Sequence, residues 1–397
     1  MNDHQAKYLA LLLKARRKQK GWSQDSVCKG ICAVSYYSKI ESASVIPASS
    51  VYEDFFRNLE MTLPSEDPDP QIEKIYQLME SGQTEQARAS FEKRVNSRPL
   101  QTHFDLSDPC PVDELLLMLL FETAPSGELF EMENLMVCLD PEQKAICALA
   151  NQKYELAASF SHAGWILWLS AFGMYQKRVS DAQVLLHLDL AYKQAAKEGY
   201  PFLMAEIAHQ DAIICSNMSE RDRAYASYKR AYRLYEALHD EKALDQVRYN
   251  LGCTLLEDEH FEKALYWLEK VRTCSVMDIH KQVICLEMLG RKGEALERMK
   301  LYPCADPVGW DLTMIDRIFE LIHIRLTTLN WIHDKDYGHL LMEIFEKLSA
   351  METHKGFAKF YLPWVLQYLK ANRQYAKACQ ILEDFPGKPA FRLPEPD

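Results

Sequence analysis

The segment Lys14–Pro47, KARRKQKGWSQDSVCKGICAVSYYSKIESASVIP, constrains the fold more than any other stretch, because it crowds three helix signals into a short span. A basic first helix runs to Gly21, which can take a left-handed conformation without a Cβ penalty. Ser23 is a good N-cap for a second helix opening at Gln24. Lys29-Gly30-Ile31-Cys32 is short enough to be a tight turn, a third helix follows from Val34 to Ser42, and Pro47 stops anything from continuing. Helix, tight turn, helix is the spacing of a DNA-binding unit whose last helix enters the major groove while its predecessor crosses the backbone. The competing reading is an ordinary helical hairpin opening an α-helical protein.

Charge favours DNA binding. Residues 1–60 hold nine Lys and Arg against six Asp and Glu, a net of +3, within a chain whose formal charge is −11. The remainder is therefore strongly acidic and would be repelled by phosphate, so only the N-terminal cap is expected to touch nucleic acid. At 397 residues, with 48% apolar residues and only 14 Gly, the chain can bury more than one core and suits a helix-rich, all-α protein. No apolar leader opens it, and the apolar runs Leu115–Phe121 and Ala163–Phe172 are far short of a membrane span. Eleven Cys without CxxC pairs or metal-like spacing read as reduced thiols of a cytoplasmic protein. Cys28 and Cys32 read as packing at the turn, with a redox sensor as the alternative.

Pro64-Ser65-Glu66-Asp67-Pro68-Asp69-Pro70 is an acidic, proline-rich connector unsuited to helix or strand. It divides residues 1–63, the helix-turn-helix domain of Cro/C1 type, from residues 71–397. Beyond it one pattern recurs: a helix, a short turn, then Ala at a close-packing position and a large residue four later. The clearest copy is Val247–Val271. There Gly252 lets helices cross, Phe261 plugs the turn, Ala264 admits the second helix and Leu268 fills the space beyond. This is tetratricopeptide-repeat logic. Weaker copies pair Ala87 with Phe91, Ala224 with Tyr228 and Ala378 with Leu382 after Tyr375, with Ala157 after Tyr154 and a shortened copy at Ala295. The interval from Ala224 to Ala264 is longer than that from Ala264 to Ala295, which predicts a degenerate superhelix rather than a regular array; an unrelated helical bundle is the alternative.

Such superhelices line a concave groove with their first helices and bind peptides there. In the clear copy the inward positions fall near Gln246, Tyr249, Asn250, Cys253 and Glu257, and the preceding copy offers His209, Gln210, Ile213 and Asn217. The Asn250 carboxamide both donates and accepts, so it suits a peptide backbone irrespective of side chains. The alternative role is bridging neighbouring helices.

The run GWSQDSVCKGICAVSYYSKIESASVIP, followed by Tyr235-Glu-Ala-Leu-His-Asp240 and Val247-Arg-Tyr-Asn250, resembles PlcR-like members of the RRNPP family of peptide-sensing, quorum-sensing transcription regulators. The resemblance is specific at these places and diffuse elsewhere. It implies that Gln24 holds a DNA phosphate and that Arg17 pairs with Glu41 to tie the first helix to the third. It further implies that Val34, Ser35 and Lys39 read base edges with Tyr36 at the margin and Ser38 among the DNA-facing residues, and that Asn250 grips a signalling peptide. His209 departs from the pattern, standing where the resemblance places another asparagine. Ala33 replaces the usual polar cap of the third helix, weakening its start by about 1 kcal/mol.

No catalytic constellation, phosphate loop or cofactor motif stands out, and His323, His333 and His339 are scattered. The expectation is a non-enzymatic regulator that binds double-stranded DNA as a homodimer under control of a short peptide, without cofactor or membrane. The alternative is an adaptor that binds a partner protein through its repeats, as in the related Rap group, with DNA binding secondary.

Overall fold

The computed structural model describes residues 2–65, 69–97, 105–121, 132–273, 275–307, 309–350 and 355–384, and among them it is all-α, with no β-strand. The first four helices are α1 (Asp3–Gln19), α2 (Gln24–Cys28), α3 (Val34–Glu41) and α4 (Ser49–Asn58). Their punctuation follows the sequence. Gly21 takes φ +66° after α1, Gly30 takes φ +80° between α2 and α3, and the Ser23 hydroxyl accepts from the Ser26 N–H. Ala33 precedes α3 with no side-chain cap. The third helix stops at Glu41, one residue before the expected Ser42, whose hydroxyl bonds back to the Lys39 carbonyl. Leu12, Leu13, Val27, Tyr37, Ile40, Phe55 and Leu59 form the core of this cluster, with the Tyr37 and Phe55 rings 4.8 Å apart.

Next come α5 (Pro70–Glu80), α6 (Thr84–Ser97), α7 (Val112–Leu120), α8 (Met132–Cys138), α9 (Pro141–Ala150), α10 (Tyr154–Phe160), α11 (Gly164–Gln176), α12 (Asp181–Glu198) and α13 (Pro201–Asn217). Of the connector, Glu66, Asp67 and Pro68 lie outside the described residues. Its end is already helical: Asp69 caps α5 and Pro70 is its first residue, a position where the missing N–H costs nothing. Helix α1 packs on α8, the Tyr8 hydroxyl donates to the Cys110 carbonyl at 2.9 Å, and the Thr62 N–H donates to the Ser107 carbonyl at 2.8 Å. The N-terminal helices are thus tied across the connector to the chain that follows it.

The remaining helices are α14 (Arg221–Ala237), α15 (Glu241–Glu257), α16 (Phe261–Leu268), α17 (Val276–Met288), α18 (Lys292–Met299), α19 (Leu312–Thr327), α20 (Lys335–Ala350), α21 (Lys355–Ala371) and α22 (Tyr375–Asp384). Two compact units divide the chain inside α13, Met1–Asp211 and Ala212–Asp397. Helix hairpins such as α5/α6 and α11/α12 in the first unit, and α15/α16, α17/α18 and α20/α21 in the second, carry the repeat logic.

In α15/α16, Ala264 and Leu268 are fully buried, and a Cβ on Gly252 would lie 2.6 Å from Leu268 Cγ. Ala87 with Phe91, Ala224 with Tyr228, and Ala157 and Ala295 singly are buried as the pattern requires. The last copy is different. Tyr375 is 58% and Leu382 42% exposed, while Ile381 turns inward instead. The Ala-x3-large spacing identifies a helix face, but at α22 its large residue is exposed.

Candidate functional site

Helix α3 is divided lengthwise. Val34, Ser35, Tyr36, Ser38 and Lys39 are exposed, whereas Tyr37, Ile40 and Glu41 are buried. The apolar Val34 and the Tyr36 ring are left open beside three hydroxyls and one ammonium, a set able to meet thymine methyls, base edges and phosphates.

What holds this helix in place is the Glu41 carboxylate. Arg17 donates to it from Nε at 2.6 Å and from Nη2 at 3.1 Å, and Gln24 donates from Nε2 at 2.7 Å. The same guanidinium also donates to the Trp22 carbonyl at 3.0 Å. Burial pushes the Glu41 carboxyl up, but the Arg17 and Gln24 hydrogen bonds outweigh it and leave the group below its ordinary value. The Arg17–Glu41 pair stands as the resemblance implies, and Gln24, expected to hold a DNA phosphate, is also engaged in fixing α1, α2 and α3 to one another. Burial pushes the Cys28 and Cys32 thiols up, the direction of inert packing rather than of a reactive thiolate.

In the second unit, Gln246 is exposed, and Tyr249, Asn250, Cys253 and Glu257 are half-buried along one face of α15. Burial pushes up the Tyr249 phenol, the Cys253 thiol (to about 11) and the Glu257 carboxyl. These side chains form a half-buried, desolvated row on one face of α15. The Asn250 carbonyl accepts from the Thr254 hydroxyl at 3.0 Å, and Thr254 in turn meets Ser216 at 2.9 Å and Tyr228 at 3.3 Å. Glu257 pairs with Arg221 at 3.5 Å, and Arg221 also binds Asp258 at 2.7 Å. These bonds brace that face of α15 against α13 and α14.

The remaining candidates on α13 are arranged differently. In the first unit His209 is only 6% exposed, and burial lowers its imidazole to about 4. Gln210 accepts from Trp168 Nε1 at 2.8 Å. In the second unit Ile213 is half-buried and Asn217 is exposed at the end of the helix.

Sequence reasoning missed Lys281, on α17. It is 5% exposed, with its ammonium 3.2 Å from the centroid of Phe360 and 5.1 Å from that of Phe357, both on α21. Helix α17 packs on α15, and burial lowers the Lys281 pKa, opposed by Cys253 and Glu257 of α15. A signal existed: Lys281 follows Asn250 at the same interval as Ala295 follows Ala264. Nearby, the buried guanidinium of Arg325 is held by Glu287 and lies 4.0 Å from the Trp364 ring. Among the described residues no group of three His, Cys, Asp or Glu could hold a metal ion, and no helix is long and apolar enough to cross a membrane.

No protein-family model and no curated protein matches the chain. Solved structures do. A Rap protein complexed with Competence and Sporulation Factor superposes with a TM-score of 0.52 at 13% identity, covering 79% of this chain and 95% of that one. Aspartyl phosphate phosphatase F from Bacillus subtilis gives 0.49 at 11% identity, over 81% and 94% of the two chains. Bacillus thuringiensis PlcR in complex with the peptide PapR7 and DNA gives 0.32 at 16% identity, over 81% and 99%. The Rap protein complex establishes a common fold; at these identities the likeness goes no further.

Proposed function

We propose that the protein is a cytoplasmic, homodimeric transcription regulator of the RRNPP type, binding double-stranded DNA through α3 and a short signalling peptide along the first helices of its repeats. The observation that carries the DNA reading is the lengthwise division of α3. Five exposed residues suited to groove contact ride on a helix locked from behind by Glu41. The basic N-terminal cap on an otherwise acidic chain supports it. The peptide reading rests on the half-buried row Tyr249, Asn250, Cys253 and Glu257, and on a fold shared with a Rap protein solved with Competence and Sporulation Factor.

A single helix-turn-helix reads one half-site, so two-fold pairing on a near-palindrome supplies the affinity that one copy lacks. The peptide acts by favouring one arrangement of the paired DNA-binding helices over another. Within the first unit α1 packs directly on α8, so the DNA-binding helices are coupled to the chain that follows the connector.

The fold shared with a Rap protein also favours a second reading, an adaptor that binds a partner protein through its repeats. A mobility-shift titration of the full-length protein on DNA from upstream of its own gene separates the two. Retarded DNA with a two-fold footprint supports the regulator. Absence of any shift at micromolar protein and low salt, with capture of a cytoplasmic protein instead, favours the adaptor.

A further inference from the structure

Lys281 holds in α17 the place that Asn250 holds in α15. The interval between them equals that between Ala264 and Ala295, and that between the last residues of the two helices, Glu257 and Met288. Equivalent places in stacked repeats face the same side of the array. Here the residue on that side is a cation rather than a carboxamide.

The surroundings of Lys281 are unusual for an ammonium that is 5% exposed. It lies against the Phe360 ring, 3.2 Å from its centroid, with Phe357 at 5.1 Å. Ring faces attract a cation but replace only part of the hydration it loses on burial. Among the described residues no carboxylate lies within ion-pair distance of it, and no acceptor receives a hydrogen bond from it. The neighbouring acid, Glu257, is shared with Arg221 at 3.5 Å. The imidazole of His280, one residue earlier, bonds to the Tyr361 hydroxyl at 2.9 Å and supplies no negative charge. A buried cation with three donors and aromatic walls, beside a row of half-buried polar side chains, suits an anionic group.

We propose that Lys281 receives a carboxylate of the bound peptide, one repeat beyond the Asn250 backbone contact, with the Phe360 ring backing the ammonium. This rests on the reading of the α15 row as a peptide site. It narrows the ligand from any short peptide to one carrying an acid at that register, supplied either by an Asp or Glu side chain or by the C-terminus.

The test uses the full-length protein and a library of random heptapeptides displayed with free C-termini. The wild type is expected to select peptides that need a carboxylate. Synthetic copies of those peptides, one with Asn or Gln for the acid and one with an amidated C-terminus, identify which source is bound. Lys281→Met should weaken the acidic peptide at least about tenfold and leave its neutral copy unchanged, whereas Lys281→Arg should keep the preference. Melting curves verify that both variants fold; the acid preference of the wild type stands as a test even if one does not. Selected peptides that bind equally with and without the carboxylate would overturn the Lys281 assignment and leave the peptide site standing. Retention of no peptide by the wild type would overturn both.

Discussion

Arg17 and Glu41 meet through two hydrogen bonds, of 2.6 and 3.1 Å, that tie the end of α1 to the end of α3. The pair is largely enclosed, with side-chain exposures of 16% and 5%, and Gln24 completes it at 2.7 Å. Position and tilt of the exposed α3 face depend on this junction. Removing one partner leaves the other desolvated without compensation, so Glu41→Ala should destabilise the protein by about 2–4 kcal/mol. Urea unfolding followed by circular dichroism measures it. A loss below about 0.5 kcal/mol, the scale of an exposed ion pair, would mean that the pair is a surface contact.

Readout and support should separate by mutation. Lys39→Ala removes an exposed cation from α3 and is expected to relax preference at one position of each half-site, by about 1–3 kcal/mol. Gln24→Ala should weaken all sequences alike, because it loosens the Glu41 junction and any phosphate contact without touching a base. Binding to a panel of single-base operator variants distinguishes these patterns. Uniform loss in both mutants would remove α3 from the groove.

The crossing of α15 and α16 leaves no room at Gly252, where a new Cβ would sit 2.6 Å from Leu268 Cγ and 2.8 Å from Cδ2. Gly252→Ala should therefore destabilise by about 1–3 kcal/mol through overpacking, although alanine is the better helix former. Gly293→Ala on α18, with nothing within 4 Å of its Cβ, is the control and should gain up to about 1 kcal/mol. Equal effects at the two sites would contradict the close crossing.

His209 gives a pH dependence of known sign. Burial depresses its folded-state pKa to about 4, below the ordinary 6.5, so the unfolded chain binds the proton more readily. Its contribution is present above pH 6.5 and is lost as the pH falls towards 4, by up to about 1.4 kcal/mol per pH unit. His280, lowered further by burial, adds a slope of the same sign. Chemical denaturation at pH 7 and pH 5 should show a smaller loss in His209→Gln than in the wild type. An unchanged difference would place a charged or solvated imidazole at that position.

Much of the fold could be read from residues whose role is local. Gly21, Ser23 and Gly30 set their helix ends by backbone conformation and capping, which neighbours in sequence decide. The Ala-x3-large pairs were legible for the same reason, with the exposed Leu382 as the exception. The site was legible only in part. The Arg17–Glu41 pair is expected from the resemblance, whereas Gln24 looks like a phosphate contact because nothing local reveals that Glu41 claims its side chain as well. Lys281 was overlooked because its isolation comes from Phe357 and Phe360, four helices further along the chain. A single Lys in VMDIHKQVICLEM carries no sign of being buried.

The central claim is that a peptide held at Asn250 controls DNA binding through α3. Its most direct test is the midpoint of DNA binding by the full-length protein, with and without synthetic peptides encoded beside its gene, in wild type and Asn250→Ala. A coupling of ordinary strength shifts the wild-type midpoint at least about fivefold. The account predicts such a shift in the wild type and none in Asn250→Ala, with the peptide-free midpoint the same in both. A wild-type midpoint that no peptide moves, or an Asn250→Ala protein that responds fully, would contradict it.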